Sequence, residues 1–209
     1  MLLEVDDSQL VLVDYQARLM PAIFEGEQAV ANALRLARMA KLLQVPTWGT
    51  VQNPDGLGSL VPELQAAIEA AAGRTLVKMH FNAVADGLGE WLRPPVRKPP
   101  QGGNARSLPK HLQRAAPEQE EGRAAIVIAG CEAHVCLLQT ALGLLEEDFE
   151  VWVVTDACSS RSERNRDAAF DRLAGAGAEL VTTEMVAFEW LGTAEHPAFK
   201  DVLGLVKQA

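Results

Sequence analysis

Three side chains of complementary chemistry stand at the ends of short apolar runs. Asp14 closes Leu10-Val11-Leu12-Val13, Lys78 follows Thr75-Leu76-Val77, and Cys136 lies just past Ala125-Ile126-Val127-Ile128-Ala129. A carboxylate can take a proton, a cation can favour an anion, and a thiolate can attack an electrophilic carbon, so the three form a nucleophilic set. Cys136 falls in the first turn of a helix that begins near His134 or Val135. Backbone N–H groups at a helix start and a nearby Lys both favour the thiolate, which predicts a lowered thiol pKa. Each residue also has an ordinary role: a turn Asp, a solvated Lys, a small core thiol. Cys131 and Cys158 read as buried packing thiols, and His134 as a cap or first-turn residue.

The elements that must position these groups alternate along the chain. The apolar runs at 10–13, 45–51, 75–77, 125–129, 151–154 and 180–182 read as strands. Helices fit 27–44, 62–72, 135–147, 164–174, 184–191 and 197–207, the first with Val30, Ala33, Leu34, Ala37 and Leu42 on one face. The strands are unbroken apolar runs, the pattern of strands buried on both faces. Six alternations of this kind predict an α/β domain, a parallel sheet with helices on both sides. In such sheets ligands bind beyond the carboxyl ends of the strands, where Asp14, Lys78 and Cys136 stand. A segment at 93–122, rich in Pro and Gly, breaks the rhythm as an irregular excursion with room for one short helix at 110–115. The 209 residues suit a single domain spanning 1–209.

Composition narrows the function classes. Lys plus Arg is 19 and Asp plus Glu is 28, a net charge of −9. Such a chain lacks the basic footprint of a nucleic-acid or anionic-membrane binder. No apolar run approaches the length of a membrane helix, and the first residues lack the pattern of a signal peptide. Three cysteines without framework spacing predict free thiols and a cytoplasmic chain. The four histidines show no ligand spacing, so no metal and no cofactor are expected.

Longer strings around these residues resemble a known family. Ala129-Gly130-Cys131-Glu132-Ala133-His134-Val135-Cys136-Leu137-Leu138-Gln139-Thr140-Ala141 is similar to the cysteine signature of the isochorismatase-like hydrolases. So is Val153-Val154-Thr155-Asp156-Ala157-Cys158-Ser159-Ser160-Arg161. Leu12 to Gln16 and Val77 to Asn82 resemble the family's Asp and Lys segments. The likeness runs from Leu10 to about Lys207, and Thr183-Glu184-Met185 and His196 to Lys200 are similar to the isochorismatase domain-containing subgroup.

The resemblance implies a three-layer α/β/α fold with a six-stranded parallel sheet of order 3-2-1-4-5-6, and a triad of Asp14, Lys78 and Cys136. It implies a cis peptide at Cys131–Glu132 and an oxyanion hole from the backbone N–H groups of Glu132 and Cys136. The implied activity is hydrolysis of a C–N bond in a small amide or carbamoyl compound, through a thioester on Cys136. Gln16, Gln52, Phe81 and Trp190 are candidates for the substrate pocket. The zinc-binding nicotinamidase branch has histidines after the second strand, whereas Thr47 to Asp55 contains none here. A non-catalytic, oligomeric binding or scaffold protein of the same fold is the alternative. Either way a homo-oligomer is expected, from apolar helices such as 135–145. A thiol redox role lacks a Cys-x-x-Cys pair.

Overall fold

The computed structural model describes residues 2–93 and 122–207. Six strands run in parallel: β1 (Ser8–Val13), β2 (Thr47–Gln52), β3 (Arg74–Lys78), β4 (Ala125–Gly130), β5 (Glu150–Val154) and β6 (Glu179–Val181). They lie in the order β3-β2-β1-β4-β5-β6, as the family resemblance implies. Every residue of β1 and β4 is buried, which is why these two segments read as unbroken apolar runs. Their register sets Val13 beside Gly130, so the chain leaves both strands at the same point, next to the place where the strand order reverses.

Among the described residues the α-helices are α1 (Gly26–Leu42), α2 (Pro54–Leu57), α3 (Pro62–Ala70), α4 (Leu88–Leu92), α5 (Leu138–Glu146), α6 (Glu163–Gly175), α7 (Thr183–Leu191) and α8 (Phe199–Val206). Local sequence explains several boundaries. The Ser162 hydroxyl accepts from the Asn165 N–H at 3.4 Å and starts α6, and Thr182 accepts from the Met185 N–H at 3.3 Å and starts α7. Pro62 stands in the first turn of α3.

Three expectations are corrected. Leu42 is 44% exposed, because at 3.6 residues per turn it falls half a turn round the helix from buried Ala33. The buried stripe of α1 is instead Ala29, Asn32, Ala33, Leu36, Ala37, Met39 and Ala40. Val77 is 60% exposed although it sits in an apolar run, because β3 is an edge strand with one face uncovered there. The single helix read at 135–147 divides. Ala133–Leu137 form a wide π-helical turn, in which the Leu137 N–H donates to the Glu132 carbonyl at 3.3 Å, and α5 follows. The short helices α2 and α4 have too few residues to show a period. The Pro-rich excursion and the short helix expected near 110–115 lie outside the described residues, apart from the ends of the excursion at 93 and 122.

Candidate active site

Asp14 is the first residue beyond β1. Its backbone is in the left-handed region, with φ 54°, and it is fully buried. Left-handed geometry is uncommon for a residue with a Cβ and marks a constrained position. The turn is held by the Asp14 N–H donating to the Thr50 carbonyl at 3.2 Å. Lys78 is the last residue of β3 and is 1% exposed. β2 lies between β1 and β3, roughly 10 Å across two strand spacings. The Lys78 side chain crosses that gap over the end of β2. Its Nζ donates to Asp14 Oδ2 at 2.7 Å, an ion pair with both partners inside the protein.

The residues of β2 complete the arrangement. Thr50 and Gln52 are two apart, so they share one face of the strand. The Thr50 hydroxyl donates to Asp14 Oδ1 at 2.6 Å, and Gln52 Oε1 accepts from Lys78 Nζ at 2.7 Å. Each carboxylate oxygen therefore has its own donor. The remaining contacts of the ammonium are longer, to the carbonyls of His80 at 3.4 Å and Phe81 at 3.5 Å. That loop is tied to α5: the Ala83 N–H donates to the Thr140 hydroxyl at 3.0 Å, and Thr140 donates to the Phe81 carbonyl at 3.3 Å. Thr140 lies one turn beyond Cys136, so the Lys78 loop and the cysteine segment are fastened to each other.

Cys136 sits in the π turn, 7% exposed, and interacts with both the Asp14 carboxylate and the Lys78 ammonium. The sequence predicted a lowered thiol pKa; the structure corrects this. Burial first, then the Asp14 charge, push the Cys136 thiol up to about 12, and Lys78 pulls in the opposite direction. The resting set is therefore a neutral thiol beside an ion pair. Cys131, fully buried, is also pushed up to about 12, and Cys158 is raised well above the ordinary thiol value, both chiefly by burial.

The peptide between Cys131 and Glu132 is cis. Among the described residues the Glu132 N–H donates to no protein acceptor, whereas the Glu132 carboxylate accepts from the Arg161 N–H at 3.0 Å and its Nε at 2.9 Å. His134 lies outside the ion-pair cluster, with Nδ1 3.0 Å from the Ser160 hydroxyl.

The four pocket candidates separate. Gln52 joins the cluster. Phe81 contributes its carbonyl, and its side chain is 51% exposed. Gln16 is fully buried and stands behind Gln52: its Oε1 accepts from the Gln52 N–H at 2.8 Å, and its Nε2 donates to the carbonyls of Gln52 and Gly58. It is a framework residue, not a pocket wall. Trp190 is also corrected. It is 1% exposed and its Nε1 donates to the Ser8 hydroxyl at 2.9 Å, at the start of β1 and so at the end of the sheet opposite Asp14. Thr50 and Thr140 were missed. Thr50 had a signal, the two-residue spacing from Gln52 on a strand. Thr140 had only its one-turn offset from Cys136.

Among the described residues, no group of three or more His, Cys, Asp and Glu side chains could hold a metal ion, and no helix is long and apolar enough to cross a membrane.

Comparisons with known proteins agree with this architecture. The isochorismatase domain model matches residues 112–185. Isochorismatase domain-containing protein 2 of Bos taurus is 36% identical over 201 residues, covering 96% of this chain and 83% of that protein. Among solved structures, the MAR1 ribonuclease of Caenorhabditis elegans superposes with a TM-score of 0.78 at 30% identity, covering 100% of this chain and 94% of that one. The YcaC gene product of Escherichia coli, described as an octameric hydrolase of unknown specificity, superposes with a TM-score of 0.72 at 26% identity, covering 99% and 95%. Sheet order, strand-end chemistry and identity over nearly the whole length lead to one conclusion: the chain belongs to the isochorismatase-like hydrolase family.

Proposed function

We propose that this chain is a cysteine hydrolase that cleaves a C–N bond of a small amide or carbamoyl compound, with Cys136 as nucleophile, Asp14 as proton carrier and Lys78 as the fixed cation. The observation that carries the reading is the buried Lys78–Asp14 pair at 2.7 Å with the Cys136 thiol interacting with both. A raised thiol pKa fits a base that acts only when substrate is present. Asp14 takes the thiol proton as sulfur attacks the carbonyl carbon. The developing oxyanion is met by the backbone N–H groups of Glu132 and Cys136; one such donor contributes on the order of a hundredfold or more to rate in other enzymes. Asp14 then returns the proton to the leaving nitrogen, the C–N bond breaks, and a thioester remains. Asp14 next takes a proton from water. The hydroxyl adds to the thioester, the acid product leaves, and the proton returns to the sulfur.

Charge supports a small-molecule substrate over a nucleic acid, whose phosphates need a basic footprint; the net charge here is −9. The octameric relative and the exposed side chains of Val77, Met79 and Phe81 support a homo-oligomer. Three free cysteines support a reducing, cytoplasmic setting. The narrow access at Cys136 favours a second reading, a non-catalytic scaffold of the same fold. A screen of small amides, ureides and carbamoyl compounds for ammonia release separates the two. Turnover that disappears in Cys136→Ala supports the hydrolase; no release from any compound, with Cys136 inert to iodoacetamide, supports the scaffold.

A further inference from the structure

Gln52 was expected to touch substrate, yet its polar groups face the protein. Its N–H donates to Gln16 Oε1 at 2.8 Å, and its carbonyl accepts from Gln16 Nε2 at 3.0 Å. Its side-chain Nε2 donates to the Met79 carbonyl at 2.8 Å, and its Oε1 accepts from Lys78 Nζ at 2.7 Å. The residue is 7% exposed. The bond to Met79 decides which end of the carboxamide faces the ammonium. Turned over, the amide would set N–H groups against a cation and a carbonyl oxygen against a carbonyl oxygen. Gln16 in turn fixes the backbone from which the carboxamide projects.

The ammonium has three N–H groups and two short partners, Asp14 Oδ2 and Gln52 Oε1, both at 2.7 Å. Without Gln52 the one short contact left would be to Asp14 Oδ2, with the carbonyls of His80 and Phe81 at 3.4 and 3.5 Å, and a cation held by one short contact can pivot about it. A second short acceptor restricts that freedom and holds the charge where it acts on the Cys136 thiol.

We propose that Gln52 is a positioning residue for Lys78, a neutral acceptor that holds the ammonium between Asp14 and the Cys136 thiol. The proposal rests on the catalytic reading above and deepens it. Neutrality is part of the assignment. A carboxylate in the same place would hold the ammonium equally well, but would add a negative charge beside a thiol that must ionise.

Gln52→Met keeps the length of the side chain and removes the acceptor. Gln52→Glu keeps the shape and adds the charge. Lys78→Met serves as the reference variant. The probe is iodoacetamide: the rate of Cys136 alkylation is measured against pH by peptide mass spectrometry on folded protein, with Cys131 and Cys158 as internal controls. Gln52→Met should slow Cys136 at neutral pH by about threefold, half a pKa unit, and Gln52→Glu by about tenfold, one unit. The labelling of Cys131 and Cys158 should stay unchanged, since general loosening would speed all three thiols. Should Gln52→Met fail to fold, Gln52→Ala removes the same acceptor and decides in its place. Profiles for the Gln52 variants that overlie the native one, while Lys78→Met is slowed, overturn the positioning role and leave the catalytic reading standing. If Lys78→Met also overlies the native profile, the catalytic reading falls with it.

Discussion

Replacing Thr50 with Val tests whether the Asp14 carboxylate is held by β2. The exchange preserves volume and branching and deletes one group, the hydroxyl that donates to Asp14 Oδ1 at 2.6 Å. Both residues are fully buried, so water does not replace the lost donor. A hydrogen bond to a charged group contributes about 1.5–3 kcal/mol to stability. At about 2–4 °C per kcal/mol for a chain of this size, the midpoint of thermal unfolding should fall by roughly 3–12 °C. Chemical unfolding in urea should show the same loss with an unchanged slope, because the surface exposed on unfolding hardly differs. Thr50→Ser is the control: it keeps the hydroxyl and drops a methyl, at a cost of about 1 kcal/mol. If Thr50→Val matches the native protein and Thr50→Ser is the weaker of the two, the methyl matters and the hydroxyl does not. The carboxylate clamp would then be refuted.

Iodoacetamide should modify Cys136 before Cys131 or Cys158, because the latter two are 0% and 3% exposed; equal labelling in the native state would count against the assignment. Since the folded Cys136 pKa is raised, from 9.0 to about 12, its reactivity should still be climbing at pH 10. A plateau below pH 9 contradicts this. The same shift is favourable to stability below pH 9 and is lost as pH rises toward 12, so unfolding midpoints should decline across that window. Gly130→Ala should destabilise by about 1–3 kcal/mol or prevent folding, because its Cβ would meet the Val13 carbonyl and lie 2.5 Å from the Val13 Cβ; a stable variant with native labelling would show that β1 and β4 can part there. Chelator treatment should leave the thermal midpoint unchanged, and a stoichiometric metal found by elemental analysis would overturn that expectation.

The sequence by itself determined the strands, most helices and the family. Unbroken apolar runs and 3.6-residue periods are local signals, and the strings around Asp14, Lys78 and Cys136 are specific in combination. It could not determine what surrounds those residues. Lys78 meets Asp14 across an intervening strand, so the partners of the ammonium depend on strand order and register, which bring Gln52 and Thr50 from a third segment. The thiol pKa went the opposite way to the sequence expectation. A helix start and a nearby Lys are visible in the chain, whereas burial and the Asp14 charge arise only when β1 and β4 are paired. Trp190 and Gln16 stand away from the expected pocket for the same reason: an aromatic or an amide near the right motif gives no sign of which end of the sheet, or which side of a neighbouring strand, it will face. Only tertiary packing assigns that, because it sets how far each polar group is taken from water and which partner replaces the water it loses.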